Sequence, residues 1–312
     1  MNDLAYRPLL WLLEGLSLLP LKVLYLLSDL IYIIIYYIVR YRRNVVEKNI
    51  RESFPEMTDA EVRATSKKFF RNFTDYFVET IKLHHISDKE MMRRMEFVDT
   101  EVIDRLMDEG RSIVVYFSHC GNWEWAPSIT LHTRHKANID AVFAQVYRPL
   151  RNKFFDEYFL HLRSRFGSKS FPKSTVLRDL LRVMKSGLPS ITGFMSDQKP
   201  SHGDVTHVVE FLNHPTAIIT GTEQLARRLK MAVIYWDMEK ITRGHYRITT
   251  RLMAEDTSAT VPYELTDGYA RLLEATIRRN PSIWLWSHKR WKIPVTFADD
   301  NSHEKRNSCN NS

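Results

Sequence analysis

The sequence predicts an α/β fold: a central, mostly parallel mixed sheet flanked by helices, preceded by an N-terminal hydrophobic helical anchor. Three observations lead there. From about residue 95, short runs of β-branched and aromatic residues alternate with stretches of helical periodicity, the pattern of a sheet covered on both faces. Residues 9–39 carry only Glu14, Lys22 and Asp29 as charges. The 312 residues are 44% apolar and 26% charged, the balance of a folded chain rather than a disordered one. Lys and Arg total 45 against 37 Asp and Glu, a net charge of +8. Only Cys120 and Cys309 are present, which excludes a disulfide scaffold and a Cys-rich zinc site. Ten glycines are too few for a propeller or β-helix repeat.

Residues 1–43 read as a membrane anchor. Pro20 splits the apolar segment, and 21–39 suffices for a helix of about 28 Å, close to a hydrocarbon core of ~30 Å. A signal peptide fits poorly, because the apolar part is long and no small-residue cleavage site follows. Arg40, Arg42, Arg43, Lys48 and Arg51 come next, and the positive-inside rule places that side in the cytoplasm. The segment spans or lies in the interface, with Lys22 and Asp29 snorkelling or facing protein; a buried helix of a soluble core is the alternative.

An α/β domain is expected over 44–298. Residues 44–86 read as helices, with Val62, Phe69, Phe70, Phe73, Phe77 and Ile81 as a core stripe. Strands are expected at 113–117, 140–147, 190–194, 208–212, 232–237 and 246–252. Helices are expected directly after the first strand and at 150–166, 175–185, 220–228 and 265–279. The polar tail, 299–312, should be disordered.

The chemistry concentrates in Ser118-His119-Cys120-Gly121-Asn122-Trp123-Glu124-Trp125, directly after the 113–117 strand. Sites in open α/β folds form at the carboxyl ends of strands. His119 and Glu124 would point about 140° apart on one helix. They can meet if His119 lies in the strand-to-helix turn that Gly121 permits and Glu124 in the first turn after it. Pro127 agrees with a first helical turn. An imidazole held by a carboxylate is a general base. No serine sits in a Gly-x-Ser-x-Gly setting, which points to direct acyl transfer to an acceptor alcohol rather than a covalent acyl-enzyme. Asp197 ends the 190–194 strand and, with Gln198, could position an acceptor or His119; a turn cap is its plain alternative. Cys120 reads as a packed turn residue, since adjacent side chains diverge.

This segment resembles the His-x4-Asp/Glu motif of the glycerolipid acyltransferase superfamily. Within it, the chain is similar to the bacterial lipid A late acyltransferases, the lauroyl and myristoyl transferases. The likeness begins at Tyr41-Arg42-Arg43-Asn44-Val45-Val46 and Ser53-Phe54-Pro55-Glu56. It continues through Ser118-His119 to Glu124, Val146-Tyr147-Arg148-Pro149-Leu150-Arg151-Asn152, Arg163-Ser164-Arg165-Phe166-Gly167 and Asp197-Gln198. It closes on Trp284-Leu285-Trp286-Ser287-His288-Lys289-Arg290-Trp291-Lys292. Two departures stand out: Lys199-Pro200-Ser201-His202-Gly203 replaces the familiar loop, and Phe211-Leu212-Asn213-His214-Pro215 lacks the usual glycine.

The resemblance implies an enzyme on the cytoplasmic side of the inner membrane. It would move a fatty acyl group from an acyl-carrier-protein thioester to a hydroxyl of a lipid A precursor, with no metal or organic cofactor. A lysophospholipid or amino-acid-containing lipid is the alternative acceptor, and coenzyme A the alternative carrier. His119 is the expected base and Glu124 its orienting partner. Backbone amides near Gly121, and Arg148 ahead of Arg163 and Arg165, are candidates to stabilise the oxyanion. Asn122, Asp197 and Gln198 complete the expected substrate contacts. The basic stretches around 40–51, 178–185, 227–230 and 289–292 suit anionic headgroups and an acidic carrier protein better than nucleic acid, since no nucleic-acid module is recognisable. The Trp284–Trp291 stretch suits a membrane interface or a core helix with a basic end.

Overall fold

The computed structural model describes residues 6–200, 207–292 and 294–297. The 299–312 tail, Cys309 and Ser201-His202-Gly203 of the departing loop lie outside them. In chain order, α1 (Arg7–Leu18) and α2 (Leu21–Ile33) meet at Pro20, and α2 runs on into a π-helical stretch, Ile34–Val39. Among the described residues, Leu21–Val39 is the one helix long and apolar enough to cross a membrane by length and composition. Then come α3 (Arg43–Ser53) and the long α4 (Asp59–Lys82). A capping box starts α4: Glu61 N–H donates to Thr58 Oγ1, and Thr58 N–H donates to the Glu61 carboxylate at 2.8 Å. Val62, Phe69 and Phe70 of the predicted stripe are buried, whereas Phe77 is 42% exposed.

The α/β part follows: α5 (Asp88–Arg94), β1 (Met95–Val98), α6 (Glu101–Asp108), β2 (Ile113–Phe117), a 3-10 segment (Trp123–Leu131), β3 (Val142–Tyr147), α7 (Lys153–Ser164), β4 (Lys169–Pro172), α8 (Val176–Lys185) and β5 (Ser190–Met195). A hairpin of β6 (Val208–Phe211) and β7 (His214–Ala217) precedes α9 (Gly221–Arg228), β8 (Ala232–Thr242), β9 (His245–Ala254) and α10 (Glu264–Arg279). The main sheet has the order β1-β9-β8-β2-β5-β3-β4. Five of its six neighbouring pairs are parallel, and β8–β9 is antiparallel. The mostly parallel mixed sheet is thus as predicted. All five residues of β2 are buried, which is why it reads as an unbroken apolar run.

Three strands escape the sequence pattern. β1 and β4 have four residues each and sit at the two edges of the sheet, too short to alternate visibly. β7 contains Pro215, which argues against a strand. The hairpin turn is Leu212-Asn213, with φ of +52° and +62°, so the position that usually favours glycine is held in the left-handed region by other residues. Asn213 Nδ2 donating to the Ser53 carbonyl (2.9 Å) and Leu212 N–H donating to Glu274 (2.9 Å) hold it there. The helix after β2 also differs from expectation. It is a 3-10 segment with Pro127 at its fifth position, not the first turn of an α-helix. An interior proline removes an i→i−4 hydrogen bond and opposes α-helix.

β8 is tied to α10 through Asp237, which is 5% exposed. Its carboxylate accepts from Arg279 Nη2 (2.6 Å), Thr276 Oγ1 (2.7 Å) and Arg251 Nη2 (2.8 Å). Burial pushes this carboxyl up, but the hydrogen bonds and guanidinium charges outweigh it and hold it below the ordinary range. A depressed folded-state value stabilises the protein above the unfolded value of about 3.9, and that contribution is lost as pH falls through the folded one. Asp237→Asn is therefore expected to cost about 1.5–3 kcal/mol at pH 7. The difference from the parent should shrink below about pH 4 in urea titrations at stepped pH.

Candidate active site

β2 and β5 are hydrogen-bonded neighbours with Phe117 paired to Met195. His119 and Asp197 each lie two residues beyond that pair, so parallel register delivers both side chains to the carboxyl end of the two central strands. The imidazole Nδ1 is 2.7 Å from Asp197 Oδ1, and the backbone N–H of His119 donates to Oδ2 at 3.0 Å. Trp284 Nε1 also donates to Oδ2, at 2.9 Å. Burial alone would raise the Asp197 carboxyl. The charge and hydrogen bonds of His119, with the indole N–H, overcome this and hold it below the usual carboxylate range. An ionised Asp197 accepts from Nδ1–H, which leaves Nε2 as the basic nitrogen. Gln198 Nε2 lies 3.2 Å from it.

The expected His119–Glu124 pairing is not the one formed. Glu124 is 3% exposed and faces α7, where Arg163 grips it with two hydrogen bonds, Nε to Oε2 at 2.8 Å and Nη2 to Oε1 at 2.6 Å. The reason is local: the 3-10 segment turns Glu124 away, while the neighbouring strand end presents Asp197. Burial pulls the Arg163 guanidinium down, and the Glu124 charge more than restores it. Tyr76 of α4 lies beside this pair, with its hydroxyl 3.4 Å from Glu124 Oε1 and its ring stacked on Trp123. Trp123 in turn meets the His119 ring edge to face at 5.0 Å between centroids.

Both groups open on one cavity of about 450 Å³, lined by His119, Glu124, Arg148, Arg163 and Gln198. Its apolar wall includes Phe117, Ile129, Phe143, Ile191, Met195 and Trp236. Arg148 is exposed at its rim. Three of the expected substrate contacts lie outside this lining: Asp197 is buried behind His119, and two others sit farther off. Arg165 bonds to the Ile86 carbonyl and pairs with Asp88 at 3.3 Å, so it braces the α4–α5 loop outside the cavity lining. Asn122 is fully buried and donates to Glu79 Oε2 at 2.8 Å, also outside the lining.

The turn bearing these groups is clamped from α4. Glu79 accepts from Asn122, from Tyr246 OH of β9 (2.9 Å) and from Tyr25 OH of α2 (2.9 Å), while its carbonyl accepts from Trp125 Nε1 at 3.2 Å. Gly121 holds φ +57°, and a Cβ there would lie 3.1 Å from both Met238 and Tyr246. Its N–H donates to the Ile283 carbonyl at 2.9 Å, so this expected oxyanion amide is already engaged. Cys120 is buried with its thiol pushed well up, chiefly by burial, as a packed turn residue requires.

Sequence reasoning missed Tyr76, Glu79 and Trp284 at this site. Tyr76 and Glu79, three apart and thus on one helix face, interrupt a stripe otherwise read as core. Trp284 and Trp286 are buried, but the stretch that holds them is not an α-helix, so the expected core helix does not form.

The sequence profile of the bacterial lipid A biosynthesis acyltransferase family matches residues 9–293. A lipid A biosynthesis acyltransferase of Haemophilus influenzae is 23% identical over 194 residues, 62% of this chain, and the match spans 58% of that protein's length. A lipid A biosynthesis lauroyltransferase of Escherichia coli is 23% identical over 254 residues, 80% of this chain and 79% of that protein. The chain belongs to the bacterial lipid A biosynthesis acyltransferase family, a family of transferases.

Proposed function

We propose that the protein is a membrane-associated O-acyltransferase that moves a fatty acyl group from an acyl-carrier-protein thioester to a hydroxyl of a lipid A precursor, at the cytoplasmic face of the inner membrane. The observation that carries this reading is an imidazole held by Asp197 at Nδ1, with Nε2 beside a mainly apolar cavity of about 450 Å³. The acceptor hydroxyl displaces the Gln198 amide and hydrogen-bonds to Nε2. Its oxygen attacks the thioester carbonyl carbon as Nε2 takes the proton. The C–S bond then breaks, and the proton passes to the leaving thiolate. Asp197 fixes the tautomer and stabilises the imidazolium. Glu124 has a different task from the one expected of it: it holds Arg163 in the cavity wall. The Arg163 nitrogen that Glu124 does not engage, and Arg148 at the rim, are the cationic donors for the oxyanion.

The test is acyl transfer by the full-length protein in detergent, read by mass spectrometry. Acyl-carrier-protein and coenzyme A thioesters are offered with a lipid A precursor, a lysophospholipid or an amino-acid lipid. The expected product is the precursor heavier by one acyl group, formed faster from the carrier-protein thioester. Acylation of only the other lipids overturns the proposed acceptor, and preference for coenzyme A overturns the donor.

A further inference from the structure

We propose that α1 and α2 lie in the plane of a bilayer rather than crossing it, with one face of the pair immersed and the other bonded to the catalytic domain. This rests on the membrane-associated reading above and commits it to one geometry. α2 and the π-helical stretch that continues it present two faces. Leu24, Ser28, Tyr32 and Tyr36 are buried, while Leu26, Leu30, Ile34 and Ile38 are exposed. A two-residue offset puts the stripes roughly 200° apart on a helix. Leu26 and Ile38, at 69% and 70% exposure, mark the ends of the outer stripe, and Trp11 and Leu12 continue apolar exposure onto α1.

The inner side is bound to α4 by both aromatic and polar contacts. Tyr36 meets Phe70 edge to face, Ser28 donates to Asp75 Oδ1 at 2.8 Å, and Tyr25 donates to Glu79. Farther along, Lys82 Nζ donates to the Ser17 carbonyl at 2.8 Å. α4 thus runs antiparallel to α2 and its continuation, keeping pace with them from Phe70 to Glu79, about 14 Å, and Lys82 extends the contact onto the end of α1. Arg243 adds a bridge, with Nη2 donating to Asp29 and Asp75, each at 2.7 Å, and Lys240 Nζ lies 3.4 Å from Asp75. Standing α2 upright through hydrocarbon would carry this charged set, and the backbone of a globular domain, to membrane depth. Charges there are costly, and irregular backbone facing lipid is not tolerated.

Lying flat avoids both costs. The outer stripe enters the acyl boundary, and the exposed cations Arg7, Lys22 and Arg40 sit at headgroup level, where anionic lipid attracts them. The same plane reaches the cavity. Tyr6, just before α1, stacks on Phe154 of α7 at 4.6 Å, and its hydroxyl accepts from Asn152 at 3.1 Å. Leu150, two residues before Asn152, lines the cavity and is 47% exposed. A lipid chain leaving the bilayer beside α1 meets the cavity mouth without passing through water.

The experiment uses full-length protein reconstituted with phosphatidylethanolamine–phosphatidylglycerol vesicles. On a Cys309→Ser background, Leu26→Cys, Ile38→Cys and, as a control on α8, Met184→Cys are each labelled with an environment-sensitive fluorophore. Depth is read by quenching from lipids spin-labelled at different carbons. The expected result is one shallow depth for positions 26 and 38, within about 5–10 Å of the headgroup boundary, and an unquenched position 184. A depth difference approaching the ~18 Å between the two positions along the helix overturns the in-plane geometry but leaves membrane association intact. Labels that stay in water without vesicle binding overturn both. Labels shielded from every quencher, in protein that sediments as a dimer, overturn the lipid as occupant of this face.

Discussion

Replacing His119 with alanine lowers kcat for acyl transfer by about 10²–10⁴, with KM for either substrate little changed. The imidazole lines the cavity, and its neighbours are placed to leave Nε2 free of the ring proton. Asp197 accepts from Nδ1 and is itself held by the His119 amide and the Trp284 indole. Asp197→Asn should give a loss of the same order by a different route. An amide at that position can offer N–H to Nδ1, which drives the ring proton to Nε2, where the substrate hydroxyl needs an acceptor. Steady-state kinetics on purified protein, with circular dichroism to show an intact fold, checks both variants. Full turnover by the His119→Ala protein removes the imidazole from the mechanism.

Glu124→Gln separates the two carboxylates. It strands the Arg163 guanidinium, which sits against the Phe159 ring, and should destabilise the protein by about 3 kcal/mol. Adding Arg163→Met to Glu124→Gln should restore much of that stability, because the uncompensated charge is gone, while activity stays low for want of the oxyanion donor. The single variant Arg163→Met gives the sharper reading. If Glu124 served His119 directly, losing Arg163 would leave turnover near normal; if Glu124 acts by holding Arg163, turnover falls as far as in Glu124→Gln. Urea unfolding alongside kcat for all three proteins distinguishes these outcomes.

The sheet was legible where burial was complete. β2 is a continuous apolar run and β5 a short segment of apolar and β-branched residues, so their ends, and with them His119 and Asp197, could be placed at a site. That these ends touch was not legible. The two residues are 78 positions apart, and β3, α7, β4 and α8 lie between them in the chain. Strand order in the sheet, not sequence distance, brings them together. Proximity along the chain suggested Glu124 instead, and a 3-10 segment in place of an α-helix turned that side chain toward α7. Asn122 and Arg165 were misplaced for a related reason. A polar residue beside a motif looks like a ligand contact until its buried partner, here Glu79 or the Ile86 carbonyl, comes into view. The edge strands β1 and β4 were too short to carry a period.

The bonds from α2 into α4 bear on how this protein is to be handled. Deleting residues up to Val39 to obtain a water-soluble fragment removes Tyr25 from Glu79, Ser28 from Asp75 and Asp29 from Arg243. It also strips cover from Phe70. Glu79 is the residue that grips Asn122, so the damage is one hydrogen bond away from the turn that carries His119. The greasy leader is thus inseparable from the catalyst, and mild detergent around the whole chain preserves what trimming would destroy.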